Sequence, residues 1–156
     1  MIKIIITTDI NGFLVPLENP IKEMEGNIVA FDPTLYSLLI EYEDFKCRNI
    51  VLYSDDVLVP TPRFIYSTNL DKLLRDYYRY CSEVDFIVLG GKRLFDDILE
   101  RNETCEITLT ILNRSVESEE QLDINSIINN EKNKTSTMDV LEDGTEVYTI
   151  SRKKQE

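Results

Sequence analysis

The chain has 156 residues, enough for one domain with a real core, and 42% of them are hydrophobic, as in ordinary globular proteins. A formal net charge of -12 sets it against nucleic-acid phosphates and anionic membranes, and no apolar run approaches the roughly 20 residues that a membrane span needs. The absence of histidine removes the Ser-His-Asp arrangement and the commonest metal ligand together.

The same acidity opposes an anionic cofactor unless local positive charge compensates. Cys47, Cys81 and Cys105 are odd in number and widely spaced, so they read neither as a disulfide framework nor as a zinc site. Free thiols of this kind point to a reducing cytoplasm. We expect a single domain over residues 1–156, with no membrane and no nucleic-acid partner.

Residues 2–8 are β-branched and apolar, and Asp9-Ile10-Asn11-Gly12 breaks the run. That is a first strand and a turn, not a signal peptide. Residues 16–26 leave room for one or two helical turns, and 27–31 form a short second strand. Asp32-Pro33 opens a helix, with Asp as N-cap, Pro at the first turn, and Leu35, Leu38, Leu39 and Tyr42 as its buried stripe. Strands follow at 48–54 and 64–66.

Thr68 or Asn69 caps a helix carrying Leu70, Leu73, Leu74, Tyr77 and Tyr78. We read Tyr77, Tyr78 and Tyr80 as packing rather than as a stacking platform. Phe86-Ile87-Val88-Leu89 is an uncharged strand that stops at Gly90-Gly91, where an amphipathic helix begins. Two residues without Cβ at a helix N-terminus let a phosphate approach backbone N–H groups. Lys92 and Arg93 are the positive charges best placed to hold it. The same glycines also serve simply as a turn between close backbones.

Residues 106–112 are a further strand. The polar run 113–136 predicts a long loop, mobile near 129–136. A hairpin over 137–151 with its turn at Glu142-Asp143-Gly144 ends the pattern. Alternating strands and helices followed by strands alone predict an α/β fold: a central, mostly parallel sheet with an antiparallel C-terminal edge hairpin and flanking helices.

This order of motifs resembles the dihydrofolate reductase family over nearly the whole chain. The resemblance rests on Asp9-x-Asn11-Gly12-x-Leu14, Ile28-Val29-Ala30 with Thr34, Arg48-Asn49-Ile50-Val51-Leu52-x-Ser54, Phe86-Ile87-Val88-Leu89-Gly90-Gly91-x-x-Leu94-Phe95, and Ile107-Thr108-Leu109-Thr110. It implies a dihydrofolate reductase-like fold. It also implies an oxidoreductase of one-carbon metabolism that reduces dihydrofolate with NADPH. Gly90 and Gly91 would face the cofactor pyrophosphate, Thr34 would bond a phosphate, and Ser54 would lie near the adenosine. Leu89 and Phe95 would line the nicotinamide region, with Asn11 and Gly12 in the loop that covers it. Ile5, Phe31 and Thr110 would contact the pterin. Thr110 also reads as an ordinary buried strand threonine.

The departures from the family pattern fall on chemistry. Pro20 takes the position of the carboxylate that assists pterin protonation. Glu18 is the nearest substitute and the candidate catalytic residue, although it also reads as a solvated surface charge. The family tryptophan is absent, and Phe31 replaces a glycine. Asp32 takes the position of the base that contacts the 2′-phosphate, where a nearby phosphate would cost about 1–4 kcal/mol; Asp55-Asp56 adds negative charge. Cys47 stands for the arginine that grips the folate α-carboxylate, with Lys46 and Arg48 beside it.

Three readings follow. The first is a reductase of dihydrofolate using NADPH or NADH. The second is a reductase of a related pterin or pyrimidine nucleotide-like substrate, since Thr8-Asp9-Ile10-Asn11-Gly12 resembles the first loop of pyrimidine reductases of riboflavin synthesis. The third is a catalytically inactive member used as a binding or assembly module, with a protein partner or as a homodimer.

Overall fold

The computed structural model describes residues 1–15, 22–32, 47–55, 64–101 and 103–153. Glu18, Pro20, Thr34 and Lys46, and the helix expected after Asp32, lie outside the described residues.

In chain order the elements are β1 (Ile2–Thr8), a single 3-10 turn (Lys22–Met24), β2 (Ile28–Phe31), β3 (Asn49–Leu52), β4 (Phe64–Tyr66), α1 (Leu70–Tyr80), β5 (Phe86–Gly90), α2 (Lys92–Glu100), β6 (Cys105–Ile111), α3 (Ile124–Ile128), β7 (Asn133–Val140) and β8 (Glu146–Arg152). The eight strands form one sheet in the order β4-β3-β2-β5-β1-β6-β8-β7. Pairing is parallel from β4 to β6 and antiparallel for β6-β8 and β8-β7. The α/β class with an antiparallel C-terminal edge is therefore as expected.

All five residues of β5 are buried, as a strand covered on both faces requires. On one face, Ile4, Ile6, Ala30, Val88, Ile107 and Leu109 pack with Leu74 and Tyr77 of α1 and Leu94, Phe95 and Ile98 of α2. On the other, Val29, Phe31, Ile50, Leu52, Ile87 and Leu89 pack with Met24 and Cys47, and Ile5 packs against them half-buried. Asn69 is the cap of α1: its side chain accepts from the Lys72 N–H at 3.1 Å. Arg152 is buried and closes the far end of α2. Its guanidinium donates to the carbonyls of Leu99 at 2.6 Å and Arg101 at 3.1 Å and to Asn133 Oδ1 at 2.7 Å.

Two expectations are corrected. The polar stretch to residue 136 is not one mobile loop: it holds the short helix α3, capped by Asp123, and β7 starts at Asn133. Seven of the eight residues of β7 are exposed, because the edge strand reaches beyond the core. It therefore lacks the apolar alternation that marks a half-buried strand. Of the three tyrosines near the end of α1, Tyr77 packs into the core, whereas Tyr78 and Tyr80 are 46% and 64% exposed.

Candidate functional site

The fold places a crevice by its connections. The chain leaving β2 goes outward to β3, while the chain leaving β5 passes through α2 to β6 on the other side of β1. β2 and β5 are neighbours whose connections diverge, and ligands of such sheets sit outside the carboxyl ends of strands at that point. The residues there are Phe31 and Asp32 on one side and Gly90 and Gly91 on the other.

The two strand ends are tied together. The pairing shifts between Ala30 and Phe31, so that Phe31 lies opposite Gly90. The Asp32 N–H then donates to the Gly90 carbonyl at 2.6 Å. Asp32 is itself buried. Gly90 has φ +100°, and the Gly90–Gly91 peptide bond is cis. A Cβ on Gly90 would meet the Phe95 ring at 2.3 Å. Phe95 is thus a core residue whose ring covers Gly90, and the protein's own packing already requires glycine there.

Gly91 is the N-cap of α2 and has no side chain to satisfy the helix end. The anion found there belongs to the chain: the Lys92 N–H donates to Glu120 Oε2 at 3.3 Å. The two predicted phosphate-holding cations are also engaged. Lys92 Nζ bonds Asp96 Oδ2 at 2.9 Å, and the Arg93 guanidinium stacks 5.3 Å over the Tyr53 ring. Tyr53 is buried and donates to Asp97 Oδ2 at 2.5 Å. Burial, with the Asp97 carboxylate beside it, pushes the Tyr53 hydroxyl up to about 12. Removing that hydroxyl in Tyr53→Phe should cost about 1 kcal/mol in urea unfolding.

Of the five residues expected on the pterin and nicotinamide side, Phe31, Leu89, Ile5 and Thr110 share one sheet face, whereas Phe95 packs in the core of the other face. Phe31 and Leu89 are buried, and Ile5 and Thr110 are half-buried. In register, Ile5 lies opposite Thr108, and Thr7 opposite Thr110. Phe31, Leu89, Ile5 and Thr110 therefore step across β2, β5, β1 and β6 in order. Ser54 lies half-buried just past β3, on the same carboxyl side. Arg48 precedes β3, at the opposite edge, and its guanidinium pairs with Glu83.

The first loop is clamped by a residue whose role the sequence did not reveal. Asp9 is fully buried. Its Oδ1 accepts the N–H groups of Asn11 at 2.8 Å and Phe13 at 2.9 Å, and its Oδ2 accepts that of Val116 at 2.9 Å. Burial pushes its pKa up, but the bonds from Val116, Phe13, Asn11 and Gly12 prevail and hold it below the ordinary carboxylate value. Further bonds stitch the loop to residues 112–122: Ile10 N–H to the Arg114 carbonyl at 3.0 Å, Leu14 N–H to that of Glu120 at 2.8 Å, and Leu122 N–H to that of Gly12 at 2.8 Å. Gly12 has φ +87°, and a Cβ there would meet the Leu122 carbonyl oxygen at 2.5 Å. The Asn11 carbonyl accepts from Gln121 Nε2 at 2.7 Å. An Asp two residues ahead of Asn-Gly was the available signal for this turn. Nothing in the run 117–120 signalled that Glu120 reaches residue 92.

A cavity of 740 Å³ opens where β1 and β6 end. Asn11, Lys92, Asn113, Gln121, Asn125 and Tyr148 are among the residues lining it. Among the described residues, it meets the predicted cofactor residues only at Asn11 and Lys92. Among the described residues, no group of three or more His, Cys, Asp or Glu could hold a metal ion. Among them, no helix is long and apolar enough to cross a membrane. Compared with known proteins, the chain matches no family model and no curated protein.

Proposed function

We propose that the chain is a dihydrofolate reductase-like protein of the reducing cytoplasm, an NAD(P)H-dependent reductase of dihydrofolate or a related pterin or pyrimidine substrate. The observation that carries the reading is the position of Gly90-Gly91. A turn without Cβ atoms stands at the start of α2, at the divergence of β2 and β5, which is where a dinucleotide pyrophosphate would meet backbone N–H groups. The row Phe31, Leu89, Ile5 and Thr110 supplies an apolar floor with one hydroxyl for a flat heterocycle.

A second reading, a non-catalytic binding or assembly module, is favoured by one contact. Glu120 sits where the pyrophosphate would sit, and Lys92 and Arg93 are turned to Asp96 and Tyr53. One titration separates the two. Under the reductase reading, NADPH at about 100 times its Kd adds about 2.7 kcal/mol of stability, a rise of roughly 5–10 °C in melting temperature. Dihydrofolate should then be reduced with oxidation of NADPH. No shift with NADPH, NADH or an antifolate, together with no turnover, assigns the chain to the second reading.

Glu120→Gln sharpens the test. The amide keeps an acceptor for the Lys92 N–H but drops the charge that repels a phosphate. Relief of about 1–4 kcal/mol of repulsion should tighten NADPH binding roughly fivefold or more by calorimetry. Unchanged affinity would mean that Glu120 and the cofactor do not compete.

A further inference from the structure

We propose that β7 pairs antiparallel with β7 of a second copy of this chain, with Thr137 at the two-fold axis. The proposal is independent of any reductase activity. Among the described residues no strand lies beyond β7, so its outer row of N–H and C=O groups is open from Lys134 to Val140, the Asn133 N–H being bonded to the Asn130 carbonyl at 3.0 Å. The strand has no proline to block pairing, and Met138 and Val140 are 49% and 60% exposed.

The bulge in β7 makes this edge self-complementary. Pairing with β8 shifts between Thr135 and Thr137, leaving Ser136 as the extra residue. The Ser136 hydroxyl turns back to the Thr149 carbonyl at 3.0 Å. Lys134, Thr137 and Asp139 lie opposite Ser151, Thr149 and Val147, alternate residues of β8, so all three share one face. Without the bulge, residues 134 and 139 would point to opposite faces.

Setting Thr137 against Thr137 of the other copy brings each Lys134 opposite an Asp139, on the same face, twice. On the reverse face Thr135 meets Met138, and Asn133 meets Val140. Threonine pairs and opposite charges are favourable cross-strand neighbours. Within one chain the two charges stand about 13 Å apart along the strand, too far to neutralise each other. Neither makes an ion pair among the described residues. They are the only charges in β7, which makes this strand neutral within a chain of -12.

Sedimentation velocity over a concentration series tests the pairing on the full chain. A monomer–dimer equilibrium is expected. Lys134→Glu and Asp139→Lys each place like charges opposite one another at two points and should weaken the dimer roughly tenfold or more. The double variant K134E/D139K restores both pairs and should return to within about threefold of the unmodified chain. The milder Lys134→Gln should weaken it less than Lys134→Glu, and serves if a reversal impairs folding by circular dichroism. A monomer at every concentration, or a dimer indifferent to these changes, overturns the proposal.

Discussion

Gly90→Ala is expected to lower the melting temperature by roughly 5–20 °C. Two costs combine. An L side chain at φ +100° is strained by about 1–2 kcal/mol. The new methyl would also lie 2.3–2.5 Å from the Phe95 ring, which is 2% exposed and has nowhere to go. Overpacking of that kind costs about 1–3 kcal/mol. Gly26→Ala is the internal control: Gly26 has φ +71°, and a Cβ there meets nothing within 4 Å. Calorimetry should show Gly90→Ala losing clearly more than Gly26→Ala. Gly90→Ala with Phe95→Leu should lose less than the two single losses added, because the pair shares one contact. Equal losses for the two alanine variants would mean that the ring does not impose the glycine. The experiment also bears on function, because a loss seen without any ligand shows a requirement for Gly90 that precedes cofactor binding.

The parallel sheet was legible because most of its strands are apolar runs punctuated by Gly, Pro or Asp, and the burial of β5 on both faces matches its unbroken Phe86–Leu89 run. The helix stripes of Leu70, Leu74 and Tyr77, and of Leu94 and Ile98, were legible for the same periodic reason. β7 was legible only in its second half, Thr137–Val140, as the first strand of the hairpin; its residues 133–136, exposed but for Asn133 and polar, resemble a loop. The site residues were legible as positions and illegible as contacts. Gly90, Gly91 and Lys92 could be placed at a helix start from local sequence. That Glu120 would occupy that start depends on a contact across 28 residues, set by how residues 112–122 lie on the first loop. Arg93 on Tyr53, 40 residues away, is likewise a product of the fold.

Asp9 shows how much one such contact controls. Asp9→Asn should lower the melting temperature by roughly 10 °C, because the amide presents one oxygen and one NH2 where the carboxylate presents two acceptors. If its oxygen keeps the Asn11 and Phe13 N–H groups, its NH2 faces the Val116 N–H, donor against donor, in a fully buried place. The pH dependence gives the loss a signature. The folded pKa of Asp9 lies below its ordinary 3.8, so the unfolded chain binds more protons as the solution turns acid. The stabilisation from Asp9 is therefore complete above that ordinary value and disappears as pH falls through the folded one. The gap in melting temperature between the chain and its Asn variant should be widest at neutral pH and close on the acid side; a gap constant with pH would exclude the carboxylate as its source. Hydrogen exchange locates the effect: the Leu14 and Leu122 amides, bonded to the Glu120 and Gly12 carbonyls, should lose protection first. Because Glu120 also holds the Lys92 N–H, loosening this clamp frees the start of α2. Under the reductase reading, NADPH should consequently recover more stability in Asp9→Asn than in the unmodified chain.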